Sequence, residues 1–157
     1  MNHHVNGHTL IELLIVVAIL GSVIIVTPPI FSWMNMAGVH QAAEHLYAEL
    51  QLARISAIRN KQPCALTFNI PGPDNYCNAV THKCVDLDQY RGGVRFLNTG
   101  PDGRSMAEKI RFNRQGMSMS IAPVQVYLTN KEGSAIYRIR VMLPGGLTLD
   151  RWNGKSW

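Results

Sequence analysis

The sequence predicts an α+β fold: one long N-terminal α-helix packed on a small antiparallel β-sheet domain. The first half of that helix is apolar enough for a membrane, and the second half is amphipathic. Three observations carry the prediction. The run from Leu13 to Thr27 is uncharged and consists almost wholly of Leu, Ile, Val and Ala. An apolar stripe of helical period follows it. Beyond Pro63 the hydrophobic pattern changes to period two.

The window Thr9 to Trp33 gives a helix ~37 Å long, enough to span ~30 Å of hydrocarbon. One acid, Glu12, stands near its start. An ionisable group inside such a segment costs about 3 kcal/mol on insertion scales, so its presence calls for a role. Pro28 and Pro29 close the first apolar stretch. Proline in a helix interior removes a backbone bond and clashes with the preceding turn, which predicts a kink or a melted turn there. Val39, Ala43, Leu46, Leu50, Ala53 and Ala57 then recur at alternating spacings of four and three, a face expected to rest on a sheet. A helix running unbroken from His8 to Asn60 is ~80 Å long.

The expected strands are Cys64–Ile70, Gly93–Leu97, Lys109–Asn113, Val124–Thr129 and Ala135–Leu143. In the last, Tyr137, Ile139, Val141 and Leu143 alternate with Arg138 and Arg140, as in a half-buried strand. "NKEGS" between the final two has hairpin-turn composition. Gly-Pro-Asp and Pro-Gly-Gly clusters punctuate the rest.

The chain has 157 residues, 46% hydrophobic and 16% charged, with 15 Lys and Arg against 10 Asp and Glu. From Met1 to Ala43 the only acid or base among these types is Glu12, so the remainder carries +6 (15 minus 9). The cations are scattered along the sequence rather than blocked, which reads as a solvated basic surface. Met1 to Gly7 lacks Lys and Arg, and prolines follow the apolar core, so cleavage after that core, as in a secretory signal, is not expected.

The stretch Gly7-His8-Thr9-Leu10-Ile11-Glu12 resembles the processing site of type IV prepilins and type II secretion pseudopilins. The resemblance implies that 1–7 is a leader, cut between Gly7 and His8 by a prepilin peptidase. His8 then becomes the methylated N-terminus and Glu12 the fifth mature residue. The family usually has Phe or another apolar residue where His8 stands, and its leaders usually carry Lys or Arg. A free α-amine on His8, with a pKa of about 8, is cationic at neutral pH. A neighbouring subunit's Glu12 pairs with it where an unpaired charge is expensive, and so sets subunit register. Similar pilins often carry a proline where Pro28 and Pro29 stand, at a point where the helix loosens in the fibre.

"ELQLARISAIRNKQPCALTF" resembles the helix-to-first-strand passage of the GspH/FimT pseudopilins. "KIRFNRQG" and "YRIRVMLPGG" fall where that family has an I-x-F-x-x-x-G strand and a terminal strand ending in glycine. The division this implies is 1–7 leader, 8–34 transmembrane and assembly helix, 35–61 amphipathic head helix and 62–157 β domain. The implied function is that of a minor pilin or pseudopilin. Such a structural subunit belongs to a type II secretion pseudopilus or type IV pilus, in the tip or assembly-priming complex. Its partners are other minor subunits, the major subunit, the prepilin peptidase and the bacterial cytoplasmic membrane, which it crosses once with its head outside. The alternative is a FimT-like minor pilin that captures DNA for uptake. Some such proteins have a G-R-x-R element near the C-terminus; Gly146-Leu147-Thr148-Leu149 occupies that place here, with Arg151 and Lys155 nearby as candidate DNA contacts.

Cys77 and Cys84 flank a short polar loop between edge strands. If the head lies in an oxidising compartment they form a disulfide, leaving Cys64 a buried free thiol. A zinc set of Cys64, Cys77, His82 and Cys84 lacks a recognised spacing. No nucleophile elbow, P-loop, dinucleotide fingerprint or His-Glu-x-x-His pair is present. His40 and His45, five apart, do not share a helix face. Neither an enzyme nor a cofactor or metal is expected.

Overall fold

The computed structural model describes residues 9–157, and over 23–32 the backbone alone. Gly7 and His8, the expected cleavage and methylation site, lie outside the described residues. The chain divides into two units between Trp33 and Met34. A single helix assignment, α1 (Leu10–Asn60), runs from one into the other, with helical backbone through Pro28 and Pro29. The helix opens at Thr9, whose carbonyl and hydroxyl accept from the Glu12 N–H at 3.0 and 3.4 Å. Thr9-x-x-Glu12 has the spacing of a capping box. The helix ends where Lys61 turns left-handed at φ +51°, two residues before a proline.

Beyond α1 the second unit holds two four-stranded antiparallel sheets. The first contains β1 (Cys64–Phe68), β2 (Asn75–Asn78), β3 (Lys83–Asp86) and β5 (Lys109–Phe112), in the order β3-β2-β1-β5. The second contains β4 (Arg95–Phe96), β6 (Val124–Thr129), β7 (Ile136–Val141) and β8 (Leu147–Arg151), in the order β4-β6-β7-β8. The expected helix stripe is fully buried from Val39 to Ala57, joined by Ala42. It meets Leu66, Phe68, Ile110 and Phe112 of the first sheet and Val126, Leu128, Ile139 and Val141 of the second. Full burial of each large apolar side chain contributes about 1.5–3 kcal/mol, and this shared core holds the sheets to the helix.

Five strands were expected; eight are present among the described residues. β2 and β3 are four residues each and mostly polar, so period two does not show in them. The terminal strand is β8, not the strand running into Pro144-Gly145-Gly146. That turn ends β7 instead, with the Gly145 N–H donating to Met142 O at 2.8 Å. β1 stops at Phe68 because Asn69 is left-handed at φ +57°, and β4 starts late because Gly92 and Gly93 have φ +91° and +60°. Asn130 ties the β6–β7 turn, its side-chain carbonyl accepting from Ser134 N–H at 2.9 Å.

One junction joins the helix end to both sheets. Gly145, at φ +83°, lies so close to Gly116 that a Cβ would stand 1.9 Å from the Gly116 carbonyl oxygen. That same oxygen accepts from Arg54 Nε at 3.1 Å. Only glycine satisfies both the backbone angle and the approach.

Candidate functional site

In the first unit the large apolar side chains from Leu10 to Leu20 are all exposed, from 49% at Val16 to 83% at Leu10. A helix apolar on every side is at rest only inside a non-aqueous surround, whether lipid or neighbouring helices. Glu12 sits in the first turn of this segment. There a carboxylate is favoured by the helix dipole, which offsets part of the cost of placing it among apolar residues. Among the described residues no helix is long and apolar enough to cross a membrane. The span expected over Thr9 to Trp33 includes 23–32, whose side chains are outside the described set.

In the head, β2 and β3 place Cys77 directly opposite Cys84, and the two are disulfide-bonded. Cys64 is free and buried at the start of β1, and burial pushes its thiol pKa up. Among the described residues no three His, Cys, Asp or Glu side chains come together to hold a metal ion. His40 and His45 do different things. His40 meets Glu44 at 3.3 Å and the Tyr137 ring at 5.4 Å. The hydroxyls of Tyr90 and Tyr76 both lie within hydrogen-bond distance of the His45 Nδ1. Burial, then the neighbouring Tyr90 and Glu49, raise the Tyr76 pKa well above its ordinary value. Glu49 is held in place by the Asn78 amide at 2.6 Å.

The outer face of the second sheet carries a polar row. Tyr127, Arg138 and Asp150 stand opposite one another across β6, β7 and β8. Arg138 is buried and donates to Asp150 Oδ2 at 2.7 Å and to Asp102 Oδ2 at 3.4 Å. The Tyr127 hydroxyl donates to Asp102 Oδ1 at 2.6 Å. The Trp157 ring covers the guanidinium, 4.2 Å from ring centroid to carbon. Burial pushes the Asp102 carboxyl up, but the Tyr127 hydroxyl, the Arg104 N–H and the Arg138 charge together hold it below its ordinary value. Arg138 is thus committed to two carboxylates and a ring.

Two family models match the chain. One, the prokaryotic N-terminal methylation motif, matches residues 2–27. The other, Type II transport protein GspH, matches residues 42–145, most of the head. The chain belongs to the GspH family. A GspH-family protein is a structural subunit of the pilin and pseudopilin class, not an enzyme. The fold agrees with that of the type IV minor pilin FimU of Pseudomonas aeruginosa PAO1, in two crystal forms. One form is 14% identical with a TM-score of 0.56, covering 75% of this chain and 92% of that one. The other is also 14% identical, with a TM-score of 0.52 and coverages of 71% and 91%. At such identity the likeness is one of fold. A comparison with curated proteins finds no match.

In this GspH-family head the two candidate DNA contacts are both exposed, Arg151 closing β8 and Lys155 following it. Arg151 lies opposite Tyr137 at the end of β8, its guanidinium 6.0 Å from that ring. Lys155 is exposed in the turn closed by Asn153. Leu147 and Leu149 pack against the core rather than facing outward. The sequence reading missed the Arg138 cluster and the Tyr76–His45–Tyr90 group. The signal available for the first was an arginine alternating with core residues in a strand, which ordinarily means a solvated face.

Proposed function

We propose that this GspH-family chain is a minor pilin or pseudopilin, anchored in the cytoplasmic membrane by α1 and assembled into a short fibre. The observation that carries it is the joining, in one chain, of an N-terminal methylation motif and a GspH head. The exposed apolar face from Leu10 to Leu20 supports it, because lipid or the helices of other subunits must cover that surface. In this reading prepilin peptidase cuts between Gly7 and His8, and the new amine of His8 meets Glu12 of a neighbour. Pro28 and Pro29 let the helix kink on packing. The fibre is a type II secretion pseudopilus or a type IV pilus, with this subunit in the tip or priming complex beside other minor subunits and the major one. Leader, membrane helix, head helix and β domain divide at residues 7, 34 and 61.

Glu12→Ala tests the pairing. Removing the charge spares membrane insertion but deletes the partner of the amine, so the variant reaches the membrane at wild-type level and is depleted from sheared fibres. Equal recovery of variant and wild type in fibres would remove the assembly role of Glu12.

A second reading, capture of DNA, has support in the exposure of Arg151 and Lys155. Against it stand Leu147 and Leu149 where related proteins place arginines.

A further inference from the structure

We infer that β8 is a pairing edge: the head associates with a second copy of this chain through antiparallel β8–β8 pairing about a two-fold axis at Leu149. The inference does not depend on the fibre reading above.

β8 is the last strand of its sheet, with β7 as its one strand neighbour among the described residues. Two bonds bracket the β7–β8 ladder. The Trp152 N–H donates to the Ile136 carbonyl at 2.9 Å, and the Met142 N–H donates to the Gly146 carbonyl at 2.8 Å. Opposed residues in an antiparallel ladder alternate between exchanging bonds and not. With Arg138 opposite Asp150 and Arg140 opposite Thr148, residues 146, 148, 150 and 152 therefore turn their backbone groups to β7. Leu147, Leu149 and Arg151 turn theirs outward, and among the described residues no hydrogen-bond partner reaches them.

An open strand edge is a template for another strand, and proteins commonly guard it with proline, lysine, a bulge, a covering segment or sheer shortness. The other edges of the head have such guards. β5 is met by 117–119, where the Met119 N–H donates to the Arg111 carbonyl at 2.9 Å and Phe112 is bridged to Ser118. β4 is two residues long. β3 carries Lys83 beside His82, left-handed at φ +53°. β8 has neither proline nor lysine, and its register with β7 is unbroken from Leu147 to Arg151. Its acid, Asp150, is held by Arg138 at 2.7 Å and so does not shield the edge.

The strand is its own complement. Set antiparallel to itself with Leu149 facing Leu149, it places Leu147 against Arg151 and Thr148 against Asp150 of the second copy. The Leu149–Leu149 pair and the two Leu147–Arg151 pairs then exchange bonds, because all three residues turn outward in both copies. No like charges stand directly opposite, and the segment from Gly145 to Asn153 holds one Asp and one Arg. Leu147 and Leu149, half-buried at the margin of the core, meet apolar side chains of the copy across the axis. Further out, Trp152 and Asn153 of one copy face Gly146 and Gly145 of the other. A Cβ built at Gly146 would meet nothing within 4 Å, so the space there is open. An arbitrary extended segment supplies the backbone bonds alone. The matched charges, the leucine at the axis and the room at the glycines single out a second copy, as in an isologous interface.

The test uses the full chain in its native cells, with a photo-crosslinking phenylalanine analogue at Thr148, an exposed position on the sheet face away from the core. The expected product is a covalent pair of this chain, recognised with two differently tagged copies and joined at residues 150–152 of the second. Arg151→Pro removes an outward N–H and leaves the β7 ladder whole. It deletes two bonds of the pair, at roughly fivefold each, so the yield should fall about twenty-five-fold. Arg151→Ala keeps the N–H and should retain the product. Arg151 is exposed, and folding of both variants is verified by the intact Cys77–Cys84 disulfide. Leu149→Lys alone and Leu149→Glu alone set like charges at the axis, and each should lose the product; co-expression of the two should restore it. No product, a product with another protein, lipid or nucleic acid, equal yields from Arg151→Pro and Arg151→Ala, or failure of the opposite charges to restore pairing would overturn the inference.

Discussion

Arg138→Ala should destabilise the head by about 3 kcal/mol, although the residue stands on the outward side of its sheet. Its guanidinium is bound by Asp150 and Asp102, whose side chains retain 31% and 20% of their exposure. Breaking a wholly buried pair costs about 3–5 kcal/mol and an exposed one under 1, so each of these partly covered contacts is assigned about 1. The Trp157 ring adds about 1 more. For a domain of this size the sum corresponds to a fall of about 10 °C in Tm. Arg138→Lys keeps the charge and loses the planar fork, and should cost about half as much. The effect has a pH signature. The folded-state pKa of Asp102 is depressed, so its contribution is present above the unfolded carboxylate value, about 4. It disappears as pH falls through the folded value. The gap between wild type and Arg138→Ala should therefore be full at neutral pH and narrow below about pH 4. Thermal denaturation of residues 34–157 across pH 3 to 8 measures both. A Tm change under about 2 °C at neutral pH would show that Arg138 acts as an ordinary surface residue.

Two further outcomes follow from the head. Non-reducing peptide mapping of exported protein should recover the Cys77–Cys84 bridge with Cys64 reduced, and Cys84→Ser should cost about 2 kcal/mol of stability, given so short a closed loop. A bridge containing Cys64, or no loss of stability, would contradict the assignment. The soluble head should bind duplex DNA only nonspecifically, with a Kd of about 10⁻⁴–10⁻⁶ M that weakens steeply with salt. Sub-micromolar affinity lost on replacing Arg151 and Lys155 would favour DNA capture over assembly.

The helix and its buried face were legible because α1 obeys one period throughout the head: the six stripe positions from Val39 to Ala57 are all fully buried. β6 matched its expected bounds because an apolar run there is closed by a turn-rich segment. The split into two sheets was not legible. It involves β2 and β3, which are short and mostly polar: β2 pairs with β1 and β3 with β2 through backbone bonds, and a disulfide joins β2 to β3.

The central claim, that this chain is a processed subunit of a fibre, is tested most directly at its N-terminus. Fibres sheared from native cells are purified and their constituents analysed by intact mass and N-terminal peptide mapping. The account predicts a chain beginning at His8 with a methylated α-amine and a head still bridged between Cys77 and Cys84. A chain still beginning at Met1, or found in membranes but absent from fibres, would contradict it.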